Sequence, residues 1–219
     1  MKSKKSPSAV VLLSGGLDSA TVLYWAKAQG FKCYCLIFDY GQLHKKEIIY
    51  AKKIAQASGS NYQIVKITFP WKGSALLDKK IALPKKIVKG VPSSYVAARN
   101  IVFLSFALSF AETIKAQRIF IGAHAQDYSG YPDCRPEFIA AFRRMAQKGM
   151  LEKVEISAPL LFKTKAQIIR LGQKLGVPFA LTWSCYRGGR YPCGKCDSCY
   201  YRAKGFKSLG LGDPLKIKK

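Results

Sequence analysis

The chain has 219 residues, of which 49% are hydrophobic, so it is long enough for one domain with a buried core and too apolar to be disordered outside its ends. Its 37 Lys and Arg against 12 Asp and Glu give a net charge of +25, which favours anionic ligands such as nucleotides, pyrophosphate or nucleic acid. Because the lysines are scattered along the chain, the charge equally fits a lysine-rich surface without a dedicated partner.

The apolar runs argue against targeting and membrane segments. The longest run, 101–111, is shorter than the roughly 20 residues that span a bilayer. The basic N-terminus is followed by only five apolar residues, fewer than the roughly 7–15 of a signal peptide. We therefore expect no membrane association and a cytoplasmic protein, whose seven cysteines are metal ligands or free thiols rather than disulfides.

Strand-like and helix-like patterns alternate along the chain. In chain order they predict a strand over 9–13, a helix over 17–28, a strand over 32–38, a helix over 44–57, a strand over 62–68, a helix over 97–115, a strand over 118–123, a helix over 136–149, a strand over 154–157 and a helix over 164–175. The helix over 97–115 is apolar nearly all round, so we expect it to be buried on both sides. The alternation predicts an α/β fold, with a parallel sheet covered by helices on both faces.

Ligands of such a sheet bind beyond the carboxyl ends of its strands. Four loops of this chain would lie at that edge: 14–16, 39–43, 70–95 and 124–135. The third carries six lysines between Lys72 and Lys89, and its length is typical of lids, binding loops or mobile segments. The two histidines, His44 and His124, also fall in these strand-end regions, where either a site role or a packing role is open.

The stretch "LLSGGLDSATVL", at 12–23, joins the first strand to the first helix. Its glycines let the backbone approach a bulky anion, and the first N–H groups of the helix point at whatever lies there. The stretch lacks the lysine of a Walker A loop and the spacing of G-x-G-x-x-G. Asp18 suggests a Mg²⁺ ion between carboxylate and phosphates. The alternative is a tight turn in which Asp18 only caps the helix.

Four cysteines lie in "SCYRGGRYPCGKCDSC", at 184–199. Cys185, Cys193, Cys196 and Cys199 have the close spacing with which thiolates converge on one ion, and four thiolates favour a closed, structural zinc site over an iron–sulfur cluster. We expect Cys33 and Cys35 to be core residues of a strand. Cys134 has no histidine nearby in sequence, which favours packing or substrate contact over a nucleophilic role.

The motif Ser-Gly-Gly-x-Asp-Ser after the first strand resembles the pyrophosphate-binding motif of the N-type ATP pyrophosphatases, the PP-loop superfamily. Within it, the chain resembles the 7-cyano-7-deazaguanine synthases of the queuosine and archaeosine pathways over nearly its whole length. The resemblance rests on "LLSGGLDSATVL", "FDYGQLHKKEI", "AARNIVFLSFALSFAE", "IGAHAQDYSGYPDCRPEF", "PLLFKTKAQIIRLGQKLGVP" and "TWSCYRGGRYPCGKCDSC". Two departures are Ala97, where the family often has Pro, and the pair Ala123-His124.

The resemblance implies a Rossmann-like fold of the adenine nucleotide alpha hydrolase type and a small C-terminal zinc segment. It divides the chain into a basic tail (1–8), a PP-loop domain (9–180), a tetracysteine segment (181–208) and a second basic tail (209–219). The implied reaction converts 7-carboxy-7-deazaguanine, ammonia and ATP to 7-cyano-7-deazaguanine through adenylate and amide intermediates. It also implies a homodimer that uses ATP, Mg²⁺ and one structural Zn²⁺ per chain, without direct binding to nucleic acid.

The resemblance also implies roles for individual residues. Those implied to bind the nucleotide are Leu13, Ser14, Gly15, Gly16, Leu17, Asp18, Ser19, Asp39, Tyr40 and Gln42. Those implied to act on the phosphates are Asp18, Lys163 and Lys165. Those implied to contact the substrate are Arg99, Asp127, Tyr128, Asp133 and Arg135, with carboxylates suited to the guanine-like N–H groups and Arg135 to the substrate carboxylate. For the last four, the alternative is a loop that an internal Asp–Arg pair holds together.

Three other classes of protein remain open at this point. A tRNA thiolase or lysidine-type ligase of the same superfamily would explain the charge, but no RNA-binding domain is apparent and a thiolase requires catalytic cysteines outside the zinc site. A zinc-ribbon nucleic-acid binder would not need the strand–turn–helix nucleotide motif. A paralogue used in DNA modification or antiviral defence shares all of these features.

Overall fold

The computed structural model describes residues 6–84, 90–124 and 130–215. Within these ranges, five parallel strands form one sheet in the order β3-β2-β1-β4-β5. The strands are β1 (Ser8–Leu12), β2 (Lys32–Asp39), β3 (Asn61–Lys66), β4 (Arg118–Phe120) and β5 (Glu155–Ser157). The α-helices are α1 (Leu17–Ala28), α2 (Lys46–Ala57), α3 (Arg99–Thr113), α4 (Pro136–Gly149), α5 (Lys165–Lys174) and α6 (Asp197–Lys207). The predicted α/β fold is confirmed.

The position of β1 in the sheet explains the uninterrupted apolar run that follows the basic N-terminal residues. The strand pairs with β2 on one side and β4 on the other, so Val10 lies between Tyr34 and Ile119. Ala9, Val10 and Val11 are completely buried. Helices cover both faces of the sheet, and a strand in that position has no solvent-facing side for polar residues. The order of strands reverses at β1, where such folds form their ligand crevice.

Helices cover the two faces unequally. On one face, α1, α2, α5 and α6 pack around a core that includes Leu23, Ile54 and Ile168. On the other, α3 and α4 contribute Leu104 and Ile139 to a second core. Helix α6 belongs to the C-terminal segment, yet its Phe206 lies in the first core, so this segment packs directly on the sheet's helical layer.

The prediction that the apolar helix over 97–115 is buried on both sides is wrong for the single chain. Leu104, Ala107 and Leu108 of α3 face the sheet and are buried, whereas Ile101 and Phe106 are 41% and 42% exposed. Nothing in the described ranges covers these two side chains fully. Every helix in the described part of the chain is too short or too polar to span a bilayer.

Two element ends matter for the cavity described below. Strand β4 ends at Phe120 rather than at the predicted 123, because the residues that follow leave the strand and line the cavity. Helix α3 starts at Arg99, directly after Ala98, which has a left-handed backbone with a φ of +55°. The Tyr95 hydroxyl accepts a hydrogen bond from the Ala98 N–H at 3.1 Å. A conformation that is unfavourable for alanine thus sets the direction from which Arg99 enters the cavity.

Candidate functional site

The turn between β1 and α1 is pressed against α2. Gly15 has a φ of +76°, and a Cβ atom on it would lie 2.5 Å from both the backbone N of Ala51 and the carbonyl oxygen of Glu47. From the other side, the Trp183 N–H donates a hydrogen bond to the Gly15 carbonyl at 2.8 Å. Gly15 is therefore required both for its backbone conformation and for the space it leaves. The turn is held between α2 and the cysteine-rich segment.

Two serines fix the shape of this turn. The hydroxyls of Ser14 and Ser19 lie 3.0 Å apart, and Ser19 Oγ also accepts a hydrogen bond from the Ser14 N–H at 3.2 Å. Ser19 Oγ lies 3.2 Å from the Gly16 carbonyl, as a donor to it. The N-terminus of α1, with its positive dipole end, follows directly. The turn therefore presents an anion-binding surface whose shape does not depend on a ligand.

Asp18 lies at the centre of a buried charge cluster. Lys165 Nζ, at the start of α5, donates hydrogen bonds to both carboxylate oxygens of Asp18, at 2.7 and 2.8 Å. The same Nζ lies 2.9 Å from Nε2 of His124, which follows β4. An ammonium has only donors, so Nε2 of His124 is the acceptor in this contact. The first helical turn of α1 and the first of α5 thus meet at one acid–base contact.

The charges in this cluster act against burial. Burial raises the pKa of Asp18, but the Lys165 ammonium, the His124 ring and the hydrogen bond from Lys165 outweigh it, so the pKa falls below its usual range. Asp18 is therefore a carboxylate throughout the neutral range. The cluster confirms that Asp18 and Lys165 are neighbours, although they are 147 residues apart in sequence.

The other predicted lysine is placed differently. Thr164 caps α5 with a reciprocal capping box to Gln167, so Lys163 lies just outside the helix. Lys163 is half-buried, and its ammonium makes no polar contact within the described ranges. Its predicted role at the phosphates remains a prediction.

A cavity extends from the turn towards the N-terminus of α3. Seven of the residues predicted for binding or catalysis line it: Leu13, Ser14, Gly16, Asp18, Ser19, Tyr40 and Arg99. Among the lining residues that the sequence did not single out are Phe38, Glu47, Asn100, Phe103, Trp183 and Tyr186. Leu17 is buried in the core beneath α1 instead. The cavity therefore has a phosphate end, formed by 14–19, and a second end formed around Glu47 and Arg99.

Aromatic rings hold Arg99 at the second end. Its guanidinium carbon lies 5.6 Å from the centre of the Tyr40 ring and 5.9 Å from that of Phe103, and Nη1 donates to the Tyr40 hydroxyl at 3.3 Å. Burial alone would lower the pKa of Arg99, but Tyr40 and Glu47 oppose this, and the pKa lies above its usual value. Arg99 is a fixed positive charge in an aromatic wall.

The loop after β2 uses its predicted residues unequally. Gln42 is buried and closes the turn, since Oε1 accepts from the Tyr40 N–H at 2.9 Å and Nε2 donates to the Phe38 carbonyl at 3.1 Å. Asp39 pairs with Lys45 outside the cavity lining. Tyr40 alone of the three predicted residues reaches the cavity.

The predicted substrate loop is only partly described. Asp127 and Tyr128 lie outside the described residues. Asp133 is buried, and its Oδ2 accepts a hydrogen bond from the Asn100 N–H at 2.9 Å, which satisfies the first turn of α3. Arg135 is exposed and precedes α4, away from the cavity lining. The substrate contacts predicted for these residues remain predictions, and the observed role of Asp133 is to support α3.

The four cysteines of the C-terminal segment converge. The Sγ atoms of Cys185, Cys193, Cys196 and Cys199 all lie within 4.8 Å of one another. A tetrahedral zinc with Zn–S bonds of about 2.3 Å places its sulfurs roughly 3.8 Å apart, so the cluster fits such an ion after a small contraction. Cys196 precedes α6 and Cys199 lies in its first turn, so the helix begins within the cluster.

The hydrogen bonds around these sulfurs favour negative charge on them. Cys185 Sγ accepts backbone N–H groups from Arg187 at 3.4 Å and Cys193 at 3.3 Å. Hydrogen bonds from the Cys196 and Cys199 thiols, together with these backbone groups, lower the pKa of Cys185. The contact with Cys185 raises the pKa of Cys196 to about 11. A cation at the centre of the cluster would favour the thiolate form of its ligands.

The three other cysteines are buried separately from the cluster. Cys33 and Cys35 lie in β2 within the core, as predicted, and burial raises the pKa of Cys33 to about 11. Cys134 lines the cavity and accepts a hydrogen bond from Asn100 Nδ2 at 3.2 Å.

Sequence reasoning missed Glu47 and Asn100 for different reasons. Glu47 belongs to the quoted stretch "FDYGQLHKKEI" and lies in the first turn of α2, where the local sequence does not distinguish it from a surface helix residue. Asn100 directly follows Arg99 in "ARN", so the family stretch contained the signal, but the sequence predicts a role for the arginine alone. Trp183 and Tyr186 reach the cavity through the fold of the cysteine segment, which spacing alone does not predict.

Solved structures share the fold at low sequence identity. An NMN synthetase from Francisella tularensis superposes with a TM-score of 0.53 at 15% identity, over 95% of this chain and 79% of that one. A U34-tRNA thiolase from Methanococcus maripaludis gives a TM-score of 0.51 at 15% identity, over 94% of this chain and 67% of that one. Similarity at this level supports the α/β architecture alone.

Sequence relatives are much more similar. A 7-cyano-7-deazaguanine synthase from Trichodesmium erythraeum is 51% identical over 94% of this chain and 99% of its own length. The synthases of Pseudomonas paraeruginosa (51% identity, 94% of this chain and 96% of the relative) and Clostridium kluyveri (49% identity, 96% and 97%) are similar to the same extent. The family described as queuosine biosynthesis protein QueC matches residues 8–210. The chain therefore belongs to the QueC family.

Proposed function

We propose that the chain is a 7-cyano-7-deazaguanine synthase, which converts 7-carboxy-7-deazaguanine, ammonia and ATP to the nitrile. The observation that carries this proposal is the single cavity that joins the Ser14–Ser19 turn to Arg99, because it brings a phosphate site and an anion-binding arginine to one reaction space. The named relatives supply the substrate class. The positive field of the protein would attract the anionic substrate and ATP. We do not propose nucleic acid as a ligand.

The proposed first step activates the substrate carboxylate. Its oxygen attacks the α-phosphorus of ATP, pyrophosphate leaves and an acyl adenylate forms. Ser14, Ser19 and the first N–H groups of α1 bind the β- and γ-phosphates, and Lys165 neutralises their charge. Asp18 would hold Mg²⁺, which would offset the charge that develops on the leaving group. Lys163 completes the phosphate end in this proposal.

The proposed second and third steps use the same space. Ammonia attacks the acyl carbon, a proton is lost and AMP leaves, which gives the amide. The amide oxygen then attacks a second ATP with loss of pyrophosphate and a proton, and departure of AMP with the remaining N–H proton yields the nitrile. Both rounds require only an oxygen held at the α-phosphorus, so one set of positioned residues serves each of them. Arg99 would hold the carboxylate before it is activated.

The cysteine cluster has a structural role in the proposal. Cys185, Cys193, Cys196 and Cys199 would hold one Zn²⁺, with four protein ligands and no open position for chemistry. The segment that they anchor carries Trp183, which donates to the Gly15 carbonyl, and Tyr186, which lines the cavity. The ion would therefore shape the active site from a distance, by fixing the wall that closes it.

We further propose a cytoplasmic homodimer. The outer side of the apolar helix α3 exposes Ile101 and Phe106. The family resemblance implies that a second copy of the chain covers this side. Light scattering of the purified protein at micromolar concentration should give twice the mass of the chain, and a monomer at that concentration would contradict this part of the proposal.

One reaction mixture tests the synthase proposal. Purified, metal-replete protein is incubated with 7-carboxy-7-deazaguanine, ammonium, Mg²⁺ and ATP, and the products are identified by mass spectrometry. We expect the amide first and then the nitrile, with two AMP released per nitrile. The absence of both amide and nitrile from folded protein would exclude the proposed activity.

A metal assay tests the structural site. We expect about one zinc per chain after purification, and removal of zinc by a chelator should lower the melting temperature because ion binding contributes directly to folding. Cys196→Ser should lose the metal, whereas Cys33→Ser, at a buried cysteine of β2, should keep it. Iron in place of zinc, or no bound metal, would refute the assignment.

A further inference from the structure

Glu47 presents a carboxylate to the cavity without a hydrogen-bond donor. It lies in the first turn of α2, beside the turn that carries Gly15, and its side chain lines the second end of the cavity. In the part of the chain that the structure describes, no backbone or side-chain group donates to it. Burial raises the pKa of Glu47, against the opposing effect of Arg99 and His44. A carboxylate that faces the cavity without a protein donor has both oxygens available to the N–H groups of a ligand.

Arg99 does not satisfy this carboxylate. The two charges attract each other across the cavity, but they form no ion pair among the described residues. Arg99 is held instead by the Tyr40 ring and hydroxyl and by the Phe103 ring. A negative and a positive group therefore face one space separately, so a ligand that fits both needs N–H donors at one position and an anionic group at another.

The surroundings of Glu47 fit a flat ring. Phe103 stacks on Phe38 with the ring centres 3.9 Å apart, and the Tyr40 ring meets Phe103 edge-on at 5.5 Å. Phe38, Tyr40 and Phe103 all line the same cavity as Glu47. Planar heterocycles pack well against such walls, while a ribose offers no flat face.

The donor pattern then selects among heterocycles. The two oxygens of a carboxylate are both acceptors, so they match two neighbouring N–H donors. A guanine-type ring offers this pair, a ring N–H beside an exocyclic amine, whereas an adenine-type ring places an acceptor nitrogen beside its amine and would repel the second oxygen. We propose that Glu47 determines specificity by accepting hydrogen bonds from the ring N–H and 2-amino group of the deazaguanine, while Arg99 binds the carboxylate of the same molecule. This inference rests on the proposed function and adds a recognition residue to it.

The test compares two substrates that differ only at this edge. They are 7-carboxy-7-deazaguanine and the same compound with hydrogen in place of the 2-amino group. Both are measured with wild type, Glu47→Gln and the control Glu152→Gln, which changes an exposed glutamate outside the cavity. Steady-state kcat/KM is determined for each substrate at saturating ATP, the KM for ATP is determined separately, and calorimetry measures the binding of each compound without turnover.

We expect wild type and Glu152→Gln to prefer the amino compound by about 10- to 100-fold in both kcat/KM and affinity, the range for hydrogen bonds to a charged group. Glu47→Gln should lower kcat/KM for the amino compound by a similar factor and reduce the preference to within about threefold, because its amide N–H₂ faces a donor. Its KM for ATP should stay within about twofold. Its zinc content should match that of wild type and its melting temperature should be no lower, which separates recognition from folding.

Three results would overturn the inference. The first is a wild-type protein that binds both compounds equally. The second is a Glu47→Gln enzyme that keeps the wild-type preference. The third is a Glu47→Gln enzyme whose only change is a raised KM for ATP, which would place the nucleotide at Glu47. If wild type binds the amino compound with the expected preference but forms no amide or nitrile, the recognition role survives and the proposed reaction fails.

Discussion

The two ends of the cavity differ in how their polar groups are satisfied. At the phosphate end, Ser14 bonds to Ser19, and Asp18 is bonded twice by Lys165. At the second end, Glu47 has no donor in the described part of the chain, and Arg99 is held by aromatic rings. One end is complete before a ligand arrives, and the other is not.

This difference matches what each end would have to do. Phosphate groups are the same in every ATP, so a rigid anion site fixed by its own hydrogen bonds loses little free energy when ATP binds. A particular heterocycle must be distinguished from close analogues, and discrimination is greatest where the wrong ligand leaves a buried charge without a partner. The Glu47 carboxylate, to which no group in the described ranges donates, thus lowers the stability of the free protein and makes the second end more selective.

The largest effect should follow from breaking the phosphate end. Asp18→Asn removes the charge that holds Lys165 and would hold Mg²⁺, while it keeps the shape of the side chain. We expect a loss of about 10³-fold in kcat for pyrophosphate release, the scale of a group that stabilises developing charge. The melting temperature and zinc content should show that the variant is folded. Turnover near the wild-type rate would remove Asp18 from the proposed chemistry.

A smaller effect at the same end distinguishes the two reasons for glycine at position 15, which are the space that it leaves for α2 and its backbone conformation. Gly15 and Gly30 both have positive φ, +76° and +85°, but a Cβ on Gly15 would contact the backbone of α2 at 2.5 Å, whereas a Cβ on Gly30 would meet nothing within 4 Å. Gly30→Ala should lower the free energy of unfolding by about 1–2 kcal/mol from backbone strain alone. Gly15→Ala should add about 1–3 kcal/mol of overpacking and weaken ATP binding. Urea denaturation and ATP titration of the two variants provide the comparison, and equal losses of stability would contradict the close packing of α2 on the turn.

The phosphate end was largely predictable from sequence, and the second end was not. Ser14, Gly16, Asp18 and Ser19 lie within six residues, so local spacing alone assembles the turn. Glu47 and Arg99 belong to two different helices, α2 and α3. They line one cavity only because of the order in which the sheet arranges its strands. Likewise, the alternation of patterns predicted the sheet, but uniform apolarity in α3 did not indicate which of its sides would be covered. Long-range proximity and the orientation of a helix are tertiary properties that one sequence does not contain in its local pattern.

A third prediction sharpens the comparison at the second end, where Ala98 holds a left-handed backbone. Ala98→Gly should relieve about 1–2 kcal/mol of strain, less roughly 0.5–1 kcal/mol for the greater freedom of glycine in the unfolded chain. The net gain in stability should lie between about 0 and 1.5 kcal/mol, with a modest rise in KM for the deazaguanine because Arg99 is fixed less firmly. Lys115 is the matched control, since it has a φ of +52° at the other end of α3 and is exposed. Lys115→Gly should give a similar gain without a change in KM, and a change in KM for both variants would show that the strain is unrelated to Arg99.

The smallest expected effect concerns the stability of the free protein at Glu47. Because burial raises the pKa of Glu47 in the folded state, its protonated form is favoured by folding, and that contribution to stability is lost as the pH rises through the folded-state pKa. Glu47→Gln keeps the volume and removes the charge. It should melt like wild type near pH 4, below the ordinary pKa of about 4.3 for a glutamate, and should melt higher at pH 8, by no more than the 2–4 °C that about 1 kcal/mol produces in a protein of this size. Thermal scans without ligand at the two pH values measure the difference. If Glu47→Gln melted below wild type at pH 8, the Glu47 carboxylate would stabilise the free protein. The polar groups at the two ends of the cavity would then both be satisfied without a ligand.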